Sequence, residues 1–355
     1  MNTNEIEVSR LESDQMKNIT VVLHDRFTGV GKKVGNELYV PVSLIEQGYD
    51  AEKVWNADSN QLNIHVTKAR ATKIKDYQSQ GNYLHFDKNR VENWNVEFDD
   101  SDIPKTVYSF GKYYNPATIA QYGLEHYSLY LNNKDEQSKR KFLIVADWFL
   151  KNQDRQGGWP YPFDFAYFPG RNLNVKAPWY SSIGLGMAMS VLSRAAFLTK
   201  DRTFSNAALR AKFLFKTPVP RGVVAKFEGK YLFYEECPTN PPSYILNGFM
   251  YSLIGLYDLY KATGNQECKR LYDQGIVTLK RMLPLYDLGN RTAYDLTHYT
   301  TDAGYPNVAK WGYHVTHIHL LAALQSIEKN PKMGKILLRW ENYLKGITAE
   351  KSQQK

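Results

Sequence analysis

Cysteine is scarce in this sequence, because the 355 residues include only Cys237 and Cys268. At most one disulfide can form, so the chain is not a disulfide-stabilised scaffold, and two isolated cysteines do not make a zinc site. Uninterrupted apolar runs of the ~20 residues that a membrane helix needs are also absent. The most apolar stretch, residues 244–260, is interrupted by Asn247 and Asp258. We therefore expect no membrane span.

The N-terminal segment lacks the pattern of an export signal. Residues 1–17 are polar and mixed in charge, with no basic stretch followed by an apolar core. We expect a soluble protein, and a cytoplasmic one if these residues are the whole chain. The native compartment stays open.

Clustered positive charge is missing as well. Lys and Arg number 45 against 36 Asp and Glu, so the net charge is +9, but no five or six basic residues lie together. Acidic polymers are favoured partners, whereas no recognised nucleic-acid motif occurs. The sequence is rich in aromatic residues, with 26 Tyr and 7 Trp. Such rings stack on sugars as well as on bases.

Two regions differ in their hydrophobic pattern. Residues 1–105 contain short alternating segments, such as 37–42, 61–66 and 82–86, separated by Gly, Asn and Asp. This pattern predicts a small N-terminal region of β-hairpins. From Asn115 onward the apolar spacing becomes helical, so residues 106–355 are expected to form a helical domain.

Eight helices are predicted in that domain, and the loops between them alternate between short and long. Short connections force neighbouring helices to run antiparallel, so the helices pair into four hairpins and all long loops lie at one end. The pattern predicts a mainly α fold, an (α/α)4 toroid, with a loop-rich rim where function is expected. The first helix begins at Asn115-Pro116, and the others span 136–151, 181–198, 203–215, 246–262, 266–283, 313–328 and 331–344.

The long loops concentrate residues that carry chemistry. They offer carboxylates, phenols, imidazoles and indoles from three separate places in the chain. Such a set suits binding of a sugar polymer and transfer of a proton on it. The segments are 157–161 and 177–180 in the first loop, 234–238 in the second, and 294–298 and 310–314 in the third.

Residues 246–259 read Leu-Asn-Gly-Phe-Met-Tyr-Ser-Leu-Ile-Gly-Leu-Tyr-Asp-Leu. This segment resembles the D-glucuronyl C5-epimerase family, which acts on heparan sulfate and heparosan. The resemblance runs in a single order from about residue 113 to residue 345. Further matching segments are 119–124, 178–181, 282–287 and 311–314.

The resemblance implies a cofactor-independent reaction within a polysaccharide. A proton leaves carbon 5 of a glucuronate and returns to the opposite face, which gives iduronate. This requires a base, an acid, and donors for the negative charge on the sugar carboxylate. By resemblance the catalytic residues are Glu236, Tyr294 and Tyr313. Glu236 and Tyr313 are expected on opposite faces of the sugar, with Tyr294 as donor or relay; which residue removes the proton stays open.

Further residues are expected to contact the substrate, an acidic polysaccharide. A phenol titrates near 10, so a tyrosine base needs a nearby cation, and Lys310 and His314 are candidates by proximity. Histidines 314, 317 and 319 are expected to pack in the core and not to bind a metal, although a structural metal ion elsewhere stays open. The expected substrate-binding residues are Gln121, Trp159, Trp179, Tyr180, Cys237, Asn247, Asn307, Lys310, Trp311 and His314.

Two positions depart from the family pattern. Cys237 follows the glutamate where family members have tyrosine, and Thr297 follows Tyr-Asp-Leu where they have arginine. A polysaccharide lyase is one alternative, since loss of the 4-linked sugar after the same proton abstraction gives an unsaturated product. A non-catalytic binder of acidic glycans is another, favoured by the positive charge and the two departures. The need for N-sulfation and the existence of a homodimer stay open.

Overall fold

The computed structural model divides the chain into two compact units. One comprises residues 1–69 with 168–172, and the other comprises residues 70–167 with 173–355. The boundary predicted at residue 105 lies inside the second unit. The residues that the structure describes are 16–23, 27–49, 51–57, 59, 61–66 and 70–349.

The first unit contains small antiparallel sheets. Strand β2 (Phe27–Val34) pairs with both β1 (Met16–Leu23) and β3 (Glu37–Tyr39). A second hairpin joins β4 (Ala51–Asn56) to β5 (Gln61–Val66). The β-hairpin prediction is therefore confirmed for the segments near residues 37 and 61.

A helix lies between these two sheets, which the β-hairpin prediction missed. It is α1 (Val42–Tyr49). Its apolar residues Val42, Ile45 and Tyr49 recur at the three- and four-residue spacing of a helix. The pattern is only two turns long, too short to stand out among alternating segments.

Residues 70–105 pack with the helices and do not form part of the first unit. The segment 82–86, predicted as a strand, is a turn whose Tyr83 and Phe86 side chains are both buried in the helical core. The backbone N–H groups of Arg90 and Val91 both donate to the Glu125 carboxylate, at 2.9 and 3.1 Å. A small antiparallel sheet follows, formed by β6 (Val96–Phe98), β7 (Pro104–Tyr108) and β8 (Gly111–Tyr114).

All eight predicted helices are present. The first begins as expected, since the Asn115 side chain accepts the N–H groups of Ala117 and Thr118 and Pro116 takes the first helical position. The fourth is shorter than predicted and ends at Ala211 instead of residue 215. The helices of the second unit are α2 (Pro116–Asn133), α3 (Glu136–Lys151), α4 (Ser182–Thr199), α5 (Arg202–Ala211), α6 (Leu246–Thr263), α7 (Gln266–Met282), the one-turn α8 (Thr297–Thr300), α9 (Trp311–Glu328) and α10 (Pro331–Leu344).

The long loops carry short strands that the sequence analysis did not predict. The first holds β9 (Phe165–Phe168) and β10 (Leu173–Val175), and the second holds β11 (Val224–Phe227) and β12 (Tyr231–Tyr234). Each pair forms a two-stranded sheet. The loops are thus fixed structures, able to hold side chains in defined positions.

The helices pair into four hairpins: α2 with α3, α4 with α5, α6 with α7, and α9 with α10. The leading helices α2, α4, α6 and α9 contact one another in chain order and are buried on most sides. The second helix of each hairpin buries one face only, as an outer helix does. The mainly α fold is confirmed, and the closed four-hairpin toroid stays a prediction.

Helices α4 and α6 touch backbone to backbone. A Cβ atom on Gly255 would lie 2.1 Å from the Gly186 carbonyl oxygen, so glycine is required there. Further along the same helices, Arg194 and Asp258 form a fully buried ion pair with a 2.6 Å N–O distance. The Tyr77 hydroxyl donates to the same carboxylate at 2.8 Å. These contacts hold α4 and α6 tightly together along their length.

Among the described helices, α4 alone is long and apolar enough to cross a membrane. The sequence analysis did not single out this helix, in which Ser and Gly lie between the apolar residues. The 18-residue window is 72% buried inside the protein. This burial is typical of the core helix of a globular fold.

Candidate active site

Glu236 lies directly after strand β12, on the loop that leads to α6. The side-chain amide of Asn247, in the first turn of α6, donates to its carboxylate at 3.1 Å. The neighbouring Gly248 allows this approach, because a Cβ there would lie 2.4 Å from Oε2 of Glu236. The carboxylate therefore faces the N-terminal turn of a helix, whose dipole favours negative charge.

The adjacent Glu235 has a different environment from Glu236. Its carboxyl group is fully buried and accepts hydrogen bonds from the Ser243 hydroxyl, at 2.8 Å, and the Tyr244 N–H, at 3.1 Å. Burial raises the pKa of Glu235 to about 8. One carboxyl of this dipeptide is thus protonated at neutral pH and anchors the loop, while the other faces the site.

Tyr294 and Tyr313 come from different elements and form one pair. Their rings meet edge to face with centroids 4.7 Å apart. Tyr294 is buried, whereas Tyr313, in the first turn of α9, is 40% exposed. The Tyr294 carbonyl accepts the backbone N–H of Leu246 at 3.1 Å, next to Asn247. Tyr294 and Glu236 therefore both form hydrogen bonds with the first residues of α6, and Tyr313 packs against Tyr294.

Asp295 fixes the loop that carries Tyr294. Its buried carboxylate accepts the N–H and hydroxyl of Thr297, at 2.9 and 2.6 Å, and the side-chain amide of Asn307 at 2.7 Å. The Tyr167 hydroxyl donates to it as well. The sequence analysis did not single out Asp295, although its place between two motif residues was a signal. Asn307 thus orients a carboxylate of the protein.

Tyr251 is a further phenol that the sequence analysis missed. It lies on α6 one turn after Asn247, so both side chains share one face of the helix. Burial, and then the charges of Glu236 and Tyr313, raise the pKa of Tyr251. Because both residues act on this hydroxyl, it lies within electrostatic range of the glutamate and of the exposed tyrosine. The i, i+4 spacing from Asn247 was the signal that could have identified it.

A cavity of about 170 Å³ adjoins Glu236. We call it the aromatic cavity, since five of its eleven lining residues are aromatic. It contains Trp179 and Cys237, two of the predicted substrate-binding residues. Its lining residues are Tyr108, Asn115, Ala117, Tyr161, Phe163, Phe165, Trp179, Ser181, Ile183, Glu236 and Cys237.

Two predicted substrate-binding residues of the first long loop lie in the helical core. The Trp159 indole N–H donates to the carbonyl of Phe149 at 2.8 Å, and the ring is buried. The Tyr180 hydroxyl donates to Asp154 in a tight turn. The rings of Trp159 and Tyr180 pack in the hydrophobic core, so their faces are not open to a ligand.

The residues around the start of α9 are also mostly buried. Trp311 stacks under Arg291, with the guanidinium 3.9 Å from the ring centroid. His314 hydrogen-bonds with the Thr292 hydroxyl at 3.0 Å and the Trp340 carbonyl at 3.1 Å. Burial lowers the pKa of His314 to about 4, so it is neutral at pH 7 and supplies no positive charge to a tyrosine.

Lys310 and Gln121 are the remaining predicted residues. Lys310 is half-buried and directly precedes α9. Gln121 on α2 donates to Glu125 at 2.9 Å. In the part of the chain that the structure describes, no group of three or more His, Cys, Asp or Glu side chains could hold a metal ion.

Residues 153–342 match the family model described as the D-glucuronyl C5-epimerase C-terminus, which is more than half of the chain. The chain belongs to this family. The segment matched by the epimerase family includes Glu236 and both tyrosines of the pair. Helix α2 and the segment before it lie outside the match.

Individual relatives agree with membership of the epimerase family. The D-glucuronyl C5-epimerase of Caenorhabditis elegans is 38% identical over 233 residues, which are 62% of this chain and 37% of that protein. An uncharacterised protein of Methanocaldococcus jannaschii is 25% identical over 247 residues, 61% of this chain and 78% of that one. The chain spans little more than a third of the length of the C. elegans enzyme.

Among solved structures, a GH76 α-mannanase of Bacteroides thetaiotaomicron matches 64% of this chain and 55% of its own. The TM-score is 0.42 and the sequence identity is 10%.

The two departures from the epimerase pattern have clear structural places. Cys237 is buried in the wall of the aromatic cavity, where a tyrosine would add a hydroxyl. Thr297 is completely buried and bonded to Asp295, so an arginine could not replace it without moving the loop. Neither position supplies the phenol or guanidinium that the family pattern has there.

Proposed function

We propose that this chain is a uronate C5-epimerase that converts D-glucuronate to L-iduronate within heparosan-type polysaccharides. The observation that carries the proposal is the attachment of Glu236 and the Tyr294–Tyr313 pair to one end of α6. Membership of the epimerase family and the identity to the C. elegans enzyme support the reaction type. An acidic polymer also suits the net charge of +9.

In the proposed reaction Glu236 is the base for glucuronate. It removes the proton from carbon 5, and the electron pair of the broken C–H bond delocalises into the sugar carboxylate. Tyr313 donates its proton to the opposite face of carbon 5, which inverts the centre. The two groups exchange protonation states and are reset through solvent. Tyr294 donates to the charge that develops on the sugar carboxylate.

The electrostatics of the site favour Glu236 as the base and Tyr313 as the acid. The N-terminus of α6 stabilises the carboxylate form of Glu236, as a base requires. Tyr313 in the opposite role would need a cation to ionise at neutral pH, and the neutral His314 does not provide one. In the reverse reaction iduronate loses its proton to a tyrosinate, and Lys310 stays the candidate for the cation that stabilises this tyrosinate.

The experiment is incubation of heparosan with the protein in deuterated water, followed by proton NMR. The wild type incorporates deuterium at carbon 5 and produces iduronate signals. Glu236→Gln removes the base and lowers the exchange by at least about a hundredfold. Glu136→Gln, an exposed residue on α3 paired with Lys139, is the matched control and keeps full exchange. Undiminished exchange in Glu236→Gln would exclude Glu236 from the mechanism.

Two further measurements distinguish the epimerase from the alternative functions. A lyase product contains an unsaturated uronate, so ultraviolet absorbance would rise during incubation, whereas an epimerase leaves it flat. A non-catalytic binder retains the polysaccharide in a salt-sensitive manner without any isotope exchange. Either result would contradict the epimerase proposal.

A further inference from the structure

Thr292 lies two residues before Tyr294 and contacts two histidines of α9 that the proposed reaction does not use. Its hydroxyl oxygen is 3.0 Å from Nδ1 of His314 and 2.8 Å from Nδ1 of His317. All three side chains are completely buried. A single hydroxyl therefore joins two imidazole rings that lie on one face of the helix.

The hydrogen bonds determine where His314 carries its proton. Burial lowers the pKa of His314 to about 4 and that of His317 well below its usual value, so both rings are neutral at pH 7. Nε2 of His314 is 3.1 Å from the Trp340 carbonyl, which can only accept, so Nε2 is protonated and Nδ1 is bare. The Thr292 hydroxyl has one proton, and it donates this proton to the bare Nδ1.

The same hydroxyl can then only accept a hydrogen bond from His317. Nδ1 of His317 must therefore be the protonated nitrogen, and Nε2 is bare. This Nε2 is buried and has no hydrogen-bond partner within the described part of the chain. The two histidines thus hold opposite neutral tautomers, and the hydroxyl of Thr292 is the group that requires this.

The backbone places Thr292 and Tyr294 on the same side of an extended segment. The Thr292 carbonyl accepts the N–H of Ala309 at 2.9 Å, and the Tyr294 N–H donates to the Asn307 carbonyl at 2.7 Å. Side chains two residues apart point to the same side of an extended chain. Both side chains face α9, since one bonds to its histidines and the other packs on its rings.

The Tyr294 ring packs against two residues that lie one turn apart on α9. It meets Tyr313 edge to face with centroids 4.7 Å apart. Its centroid is 6.4 Å from that of His317, with 27° between the two planes. The Thr292 hydroxyl fixes the rotation of the His317 ring, so it also fixes one side of the space that Tyr294 occupies.

We infer that Thr292 is a positioning residue for the tyrosine pair. It acts by holding His314 and His317 in opposite neutral tautomers. The inference rests on the proposed function, in which both tyrosines meet the sugar. Without the hydroxyl, the bare Nδ1 of His314 and the N–H of His317 would both be buried without a partner, which is unfavourable. One ring must then rotate or change its tautomer, and Tyr294 moves with it.

The first measurement is deuterium exchange at carbon 5 of heparosan over a range of polymer concentrations. Thr292→Val keeps the shape of the side chain and removes the hydroxyl. We expect kcat to fall by about tenfold with KM nearly unchanged, because a 1 Å displacement of a reacting group costs about a hundredfold and a ring rotation moves Tyr294 less. Thr292→Ser keeps the hydroxyl and restores most of the rate.

Thr278→Val provides the matched control. Thr278 is as completely buried as Thr292, but its hydroxyl donates to the Gln274 carbonyl of its own helix, α7, at 3.1 Å. The same atoms are removed away from the tyrosine pair. Thr278→Val therefore keeps the wild-type kcat, even if its thermal midpoint falls.

The second measurement observes the tautomers directly and needs no substrate. Long-range proton–nitrogen correlation NMR of histidine-labelled protein distinguishes a proton on Nδ1 from one on Nε2. The wild type has the proton of His314 on Nε2 and that of His317 on Nδ1, each signal being assigned by its loss in a His→Gln variant. Thr292→Val abolishes this opposite pair, whereas Thr292→Ser and Thr278→Val keep it.

A second pair of variants applies if Thr292→Val does not fold. Asn in place of His317 keeps an N–H donor near the position of Nδ1, whereas Gln places its donor near the position of Nε2. His317→Asn is therefore expected to retain more kcat than His317→Gln. Equal kcat in these two variants would count against the inference.

The outcomes separate the inference from the function on which it rests. A wild-type His317 with its proton on Nε2 overturns the inference, as does a Thr292→Val variant with the wild-type kcat. An equal loss of kcat in Thr278→Val overturns it too, because removal of any buried hydroxyl would then have the same effect. In all three cases the wild type still exchanges deuterium. Absence of wild-type exchange overturns the proposed function, and the role of Thr292 with it.

Discussion

Replacing Gly248 by alanine moves the Glu236 side chain without changing any group that reacts. A Cβ at position 248 would lie 2.4 Å from Oε2 and 2.5 Å from Cβ of Glu236. Ordinary contacts begin at 3.4 Å, so the glutamate must shift by about 1 Å. The whole side chain is displaced, since the clash involves Cβ as well as the flexible carboxylate end.

A displacement of about 1 Å in a reacting group costs on the order of a hundredfold in rate. We expect Gly248→Ala to lower deuterium incorporation at carbon 5 of heparosan by about that factor. Substrate binding depends on many other contacts, so the loss is expected in kcat more than in KM. The assay is the NMR exchange measurement over a range of polymer concentrations, together with the thermal midpoint.

Gly312→Ala provides the matched control. Gly312 also lies in the first turn of a helix, one residue before Tyr313, but a Cβ there meets nothing within 4 Å. This variant keeps its activity and gains up to about 1 kcal/mol of helix stability. The reasoning is refuted if Gly248→Ala exchanges at the wild-type rate, or if both variants lose activity equally.

Two further predictions concern stability. Burial lowers the pKa of five histidines, so below pH 6.5 the unfolded chain binds more protons than the folded one. For each of the four whose folded pKa is about 3 or 4, the fold is roughly 3–5 kcal/mol more stable above pH 6.5, and this stability is lost as the pH falls towards 4. A thermal midpoint unchanged between pH 6.5 and 4.5 would contradict this prediction. Asp258→Ala strands the buried Arg194 and lowers the free energy of unfolding by about 3–5 kcal/mol in urea titrations. Asp273→Ala, from an exposed pair, costs less than about 1 kcal/mol, and equal losses would refute the distinction. These four are His85, with a pKa of about 3, and His126, His314 and His319, each about 4; the fifth is His317, whose pKa burial lowers well below its usual value.

The helical unit was largely predictable because its signals are local. Capping residues such as Asn115 and Asp135 and periodic apolar positions place the helix starts almost to the residue. Alternating loop lengths then predict the hairpins. The strands within the long loops were not predictable, because segments such as Phe165–Phe168 pair only after the helices have positioned them.

The site was less predictable than the fold, because burial decides which side chains line a cavity and the sequence does not show burial. Trp159 and Trp179 look equivalent in the sequence, yet one indole is in the core and the other lines the aromatic cavity. Asp295 and Tyr251 gain their roles from neighbours that are distant in sequence. The resemblance implied roles for Glu236 and the two tyrosines, which stay a prediction, and nothing in the chain order showed which rings surround them.

The contacts of residues 70–91 determine where the protein can be divided. Tyr77 shares the Asp258 carboxylate with Arg194, and the backbone at Arg90 satisfies Glu125 on α2. A fragment that begins at residue 106 would leave the carboxyl groups of Asp258 and Glu125 without these donors, and one that begins at residue 153, where the family match starts, would leave Asp258 without Tyr77. We therefore expect the shortest fragment that folds on its own to begin before Tyr77, well ahead of the start of the family match at residue 153.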